Sequence, residues 1–86
     1  VMPKFVIERT VPNAGKLSAR DLHDLSAKSC RVLRDLGPQV QWVQSHVTDD
    51  KLYCLYIASS ADLIREHAVR GCFPVDAVRE VRAVID

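Results

Sequence analysis

Neither sign of charge is in excess: 12 basic side chains stand against 11 acidic ones, a net of +1. That balance removes the counterion release on which nucleic-acid affinity depends, and it leaves no Lys/Arg-rich face for an anionic membrane surface. No apolar run approaches the roughly 20 residues of a membrane span. Cysteine is sparse. Cys30, Cys54 and Cys72 form an odd set without C-x-x-C spacing, which argues against a disulfide framework and a zinc ribbon. Three free thiols suit a reducing cytosol, and Met2-Pro3-Lys4-Phe5 lacks the apolar stretch of a signal peptide, so a cytoplasmic protein is expected. A Ser/His/Asp order, a glycine-rich phosphate loop and a cofactor fingerprint are all missing, which points to binding ahead of catalysis. There is no repeat, low-complexity tract or linker either, and 86 residues make one domain, 1–86.

What is present is a regular succession of patterns. Lys4 to Thr10 is rich in β-formers and follows a proline, giving a first strand. Val11 to Leu17, punctuated by Pro12, Asn13 and Gly15, reads as a loop. Ser18-Ala19-Arg20-Asp21 is a capping box, and Leu22, Leu25, Val32, Leu33 and Leu36 then share one side of a helical wheel. Gly37-Pro38 ends that helix. Val40 to Val47 and Leu52 to Ala58 surround Thr48-Asp49-Asp50-Lys51 as a hairpin. Ser59-Ser60-Ala61-Asp62 opens a second helix with Ala61, Ile64 and Ala68 inward, ending at Gly71. Val75 to Ile85 reads as the last strand, with a turn over Ala77 to Arg79 as the alternative. The order βαββαβ defines an α+β, ferredoxin-like sandwich: a four-stranded antiparallel sheet with two helices on one face.

Two helices cover only one side of such a sheet, so the other face is polar, partnered or a site. Alternation assigns Phe5 and Ile7 to the helix side of the first strand and Val81, Ala83 and Ile85 to that of the last. With Val43, Val47, Tyr53, Leu55 and Ile57 also inward, the open face carries Glu8, Trp42, Gln44, His46, Cys54, Tyr56, Glu80 and Arg82. A tight loop at Asp49-Asp50 would instead set Val47 opposite Leu52, and a one-residue slip exchanges the faces. A face this aromatic and this polar suits a homodimer closing over a small cavity; scattered exposed aromatics are the alternative.

Val40-Gln41-Trp42-Val43-Gln44-Ser45-His46, Asp50-Lys51-Leu52-Tyr53-Cys54-Leu55-Tyr56, and then Ser60, His67, Gly71, Pro74 and Val81 make up a diffuse pattern. Together with Pro3-Lys4-Phe5, Glu8-Arg9 and Pro12, it resembles a family of small bacterial proteins. That family was formerly a domain of unknown function and is now named after a nickel-responsive, nickel-binding member. The resemblance covers nearly the whole chain and implies a ferredoxin-like subunit paired as a dimer, with metal binding in some members. It also implies histidines in the first strand of the nickel-binding member. Here that stretch is Phe5-Val6-Ile7-Glu8-Arg9, and ligands there are not carried over.

His46 is the leading candidate ligand, since imidazole is the commonest transition-metal ligand and titrates near neutral pH. On the open face it would join Glu8, Cys54 and Glu80 as a metal set; the plain alternative is a strand-end histidine beside a turn. Glu8 and Glu80 have Arg9 and Arg82 close in sequence, and simple neutralisation is the alternative role. Cys54 has no local cation or helix N-terminus to make it reactive. Trp42 and Tyr56 would stack a flat ligand or plug a dimer interface. His67, near the end of the second helix, sits where the helix dipole favours a protonated imidazole, and His23 looks solvated. The leading expectation is a non-enzymatic, metal-binding dimer, with nickel as the metal. The alternative is a small-molecule-binding protein or small enzyme using the open face of the dimer. RNA binding on the sheet lacks both charge and aromatic-basic signature.

Overall fold

The computed structural model describes residues 2–86. Strands β1 (Lys4–Thr10), β2 (Val40–Val47), β3 (Lys51–Ala58) and β4 (Ala77–Glu80) form one sheet in the order β2-β3-β1-β4, all neighbours antiparallel. Helices α1 (Ala19–Leu36) and α2 (Ala61–Gly71) complete the expected βαββαβ order. A short 3-10 turn at Ala14–Lys16 lies within the loop after β1. It docks on the β2–β3 turn through Gly15 N–H to Asp49 O at 3.0 Å and Asn13 N–H to the Asp50 carboxylate at 2.9 Å.

The helix starts are built as their sequences specify. Ser18 Oγ accepts from Asp21 N–H at 3.0 Å, while the Asp21 carboxylate accepts from Ser18 N–H at 3.1 Å, so two otherwise unpaired donors are satisfied reciprocally. Ser60 Oγ likewise accepts from Leu63 N–H. Gly37 ends α1 at φ +88°, a conformation open chiefly to glycine. Gly71 has a different role from the one its position suggests. It belongs to α2, and the left-handed cap is Cys72 at φ 56°. Gly71 is needed because a Cβ there would lie 2.1 Å from the Phe73 ring.

The core gathers Phe5, Ile7, Val40, Cys54, Tyr56, Ala58 and Ile64, with Leu33, Leu36 and Val78 packed against it. This corrects the facing of β3. Phe5 pairs with Tyr56 and Ile7 with Cys54, so these side chains share the helix face, and Tyr53, Leu55 and Ile57 lie on the open one. In β2 the tight turn does pair Val47 with Leu52, and an irregularity between Trp42 and Gln44 shifts the alternation. Trp42, Ser45 and Val47 therefore go with the helix side, whereas Gln44 and His46 stay on the open face. The last strand is also shorter than expected. It stops at Glu80, and Ile85 is 99% exposed. Glu80 pairs with Phe5, which places it at the helix-side edge and not among the open-face residues.

Candidate functional site

Helix α1 does not seal against the sheet along its first turns. No residue of α1 is fully buried, and Leu25 is 37% exposed. The inward positions there include Ala19, Ser26 and Ser29, too small to reach the strands. The space left is a cavity of about 390 Å³ between α1, the edge of β2 and the segment after α2. Leu22, Leu25, Trp42, Val47, Leu52 and Phe73 make its walls. Arg9, Ser29, Cys54 and Tyr56 bring polar atoms and a sulfur to its inner wall, and Ser26, Ser45 and His23 add others. A mostly apolar concavity with a few convergent polar groups is the usual form of a small-molecule site.

Arg9 is the unusual member. It follows Phe5 and Ile7 on the inward face of β1 and is only 4% exposed. Its Nη1 donates to Pro74 O at 2.7 Å and its Cζ lies 5.5 Å from the Phe73 ring centre. Nη2 has no acceptor among the described residues. Lys28 approaches the same ring, its Nζ 5.1 Å from the centre.

His67 sits beside this group, fully buried. Its Nε2 shares a 3.0 Å hydrogen bond with Ser29 Oγ, and its ring packs on Tyr56 and Phe73 with centres 5.3 and 5.2 Å away. Burial, and then the positive charge of Arg9, depress its pKa from 6.5 to about 4. The protonated imidazole expected from the helix dipole is thus overturned: desolvation outweighs the dipole, and His67 is neutral at physiological pH. Burial also raises the Tyr56 hydroxyl above its ordinary range, with the Cys54 thiol adding to the effect and Arg9 and Ser29 opposing it. Tyr56 is therefore a neutral hydroxyl.

The residues singled out as metal ligands do not converge. His46 and Glu8 are on the open face, but each is paired to Tyr53 from opposite sides, which sets their strands roughly 10 Å apart. Gln44 Nε2 and His46 Nε2 are 3.1 Å apart. Glu8 is already bound to Lys51 at 3.0 Å, and Lys51 also meets Asp76 and Thr10. Cys54 is buried on the other side of the sheet, and Glu80 is at its edge, 3.4 Å from Arg82. Among the described residues no group of three His, Cys, Asp or Glu side chains is placed to hold a metal ion. Trp42 and Tyr56 do come together, but around the helix-side cavity and not on the open face; Trp42 Nε1 donates to Ser45 Oγ at 2.9 Å.

Arg9 brings the buried charge to the cavity and His67 packs behind its wall against Ser29, Tyr56 and Phe73, and sequence reasoning missed both roles. The signals were the alternation Phe5, Ile7, Arg9 and the helical spacing Ile64, His67, Ala68, Gly71. Each extends an apolar face onto a polar residue.

Fold and cavity together define a ferredoxin-like α+β sandwich with a pocket between its first helix and its sheet. Residues 5–81 match the family described as nickel responsive protein SCO4226-like, and the chain belongs to that family. The crystal structure of SCO4226 from Streptomyces coelicolor A3(2) is similar with a TM-score of 0.81 and 19% identity. The match covers 95% of this chain and 99% of that one, and at such identity it establishes the fold alone. No curated protein matches the chain. No helix among the described residues is long and apolar enough to cross a membrane.

Proposed function

We propose that this protein is a non-enzymatic binding protein whose ligand is a small organic molecule held between α1 and the sheet. The observation that carries this reading is the 390 Å³ cavity, with apolar walls around the polar atoms of Arg9, Ser29 and Tyr56. Trp42, the sole tryptophan, lines it and reports on its contents. Titration with octanol should change Trp42 emission saturably, and Ser26→Phe, which fills the space, should abolish the change while the fold persists by circular dichroism. A wild type that responds neither to octanol nor to the acid and amine of the same chain length would remove the reading.

The family description supports a second, metal-linked reading. The ligand set Glu8, His46, Cys54 and Glu80 does not fit nickel within one chain, because its members lie on different faces of the sheet. A homodimer closing over the open face would bring a second copy of His46 to that surface. The half-buried row Val6, Tyr53, Leu55 and Ile57, rimmed by Gln41, Gln44 and His46, supports such pairing. Trp42 and Tyr56 take no part in it. Sedimentation at micromolar concentration should give a dimer, and calorimetry should give nickel binding that His46→Ala removes. A monomer without nickel heat would eliminate this second reading and leave the cavity untouched.

A further inference from the structure

A buried guanidinium stays charged at any physiological pH, and taking it out of water is unfavourable unless a partner compensates. Proteins usually supply a carboxylate. Here none does: no ion pair among the described residues includes Arg9. Glu8, its neighbour in β1, points to the opposite face and holds Lys51, and Asp76 is engaged by Thr10 and Lys51. Pro74 O takes one of the Arg9 nitrogens and the Phe73 face lies beside the cation. Nη2 has no acceptor among the described residues, and Arg9 lines the cavity. His67 is no substitute, since it is a neutral base and its Nε2 is engaged with Ser29.

We propose that the cavity takes a small monocarboxylic acid, with its carboxylate on Nη2 of Arg9 and its apolar body against Leu22, Leu25 and Trp42. This inference rests on the reading of the cavity as a ligand site and names the ligand class. A single buried cation with one unpartnered nitrogen balances one negative charge. A phosphate dianion would leave a charge uncompensated, because the second cation near Phe73, Lys28, is half-exposed and does not line the cavity. The ligand's second carboxylate oxygen can accept from the hydroxyl of Tyr56, which lines the same cavity. The remaining polar side chains of the lining, Ser26, Ser45 and His23, are uncharged or exposed, and most of the wall is Leu22, Leu25, Trp42, Val47, Leu52 and Phe73, so the rest of the ligand is mainly hydrocarbon. The cavity volume lies at the lower end of the range for small-molecule sites, which sets the body at a short chain or a single ring.

The test compares three ligands with one body and different heads, namely octanoate, octanol and octylamine, by Trp42 emission and calorimetry on the full chain. Octanoate should bind about tenfold or more tighter than octanol, the scale of one charge-assisted hydrogen bond, and octylamine should bind weakest. Arg9→Met should abolish the preference, so that octanoate and octanol bind that variant with equal affinity. If that variant does not fold, the comparison of head groups on the wild type decides by itself. Octanol binding as tightly as octanoate would overturn the acid while leaving a ligand cavity in place. Failure of all three to bind would overturn both.

Discussion

Acidification offers the sharpest test of the buried His67. In the folded chain its imidazole is sealed from water between Tyr56 and Phe73, with Arg9 nearby, and its pKa is depressed from 6.5 to about 4. The unfolded chain therefore binds a proton that the folded one refuses between these values, and stability falls as pH falls through that window. Above 6.5 both forms are neutral and the contribution is complete; below about 4 both are protonated and it is gone. At ~1.4 kcal/mol per pH unit, the loss across the window is on the order of 3 kcal/mol. Asp76, whose carboxyl is held below 3.8 first by Thr10 and then by Lys51, acts beneath the window and does not obscure it. Urea unfolding at intervals between pH 7.5 and 4.5 should show the decline, about 1 kcal/mol per unit. In His67→Gln, which cannot titrate, the same interval should be nearly flat. An equal slope in wild type and variant would refute the placement of His67 as a buried neutral base. So would a His67 proton resonance titrating near 6.5 in the native protein.

Four substitutions probe the packing around the site. Cys72→Gly should stabilise the chain by about 0.5–1 kcal/mol, because glycine adopts the positive φ of this exposed cap without strain; a loss in denaturant midpoint would contradict it. Gly71→Ala should cost about 1–3 kcal/mol, since the new methyl collides with the Phe73 ring, and it should weaken ligand binding by displacing the Arg9 platform. Leu33→Ala, packed on the core, should cost about 2 kcal/mol and Leu25→Ala, over the cavity mouth, under about 1. Equal losses would mean that the cavity is filled by α1.

The helix boundaries were legible because their signals are local. The Ser18–Asp21 box, the Ser60 cap and Gly37-Pro38 act within a few residues of themselves, and each does what its spacing implies. The βαββαβ order followed from punctuation and periodicity, and the sandwich followed from that order. Which face each strand presents was not local. In β3 both alternating sets are apolar, so hydrophobicity could not choose between Cys54-Tyr56 and Tyr53-Leu55-Ile57; pairing with Phe5 and Ile7 chose. In β2 an irregularity after Trp42 sent Trp42 and His46 to opposite faces, although both are four residues apart in one strand.

By itself, then, the sequence determined the elements, their order, the α+β class and the near-balanced charge of +1. Tertiary structure alone decided the site. It turned Arg9 inward without a carboxylate, suppressed the charge of His67 by burial, and left α1 standing off the sheet where Ala19, Ser26 and Ser29 are too small to close the gap. The physical reason is range. Caps and turns are settled by hydrogen bonds between near neighbours, whereas strand register, desolvation and empty volume are properties of residues brought together from distant parts of the chain.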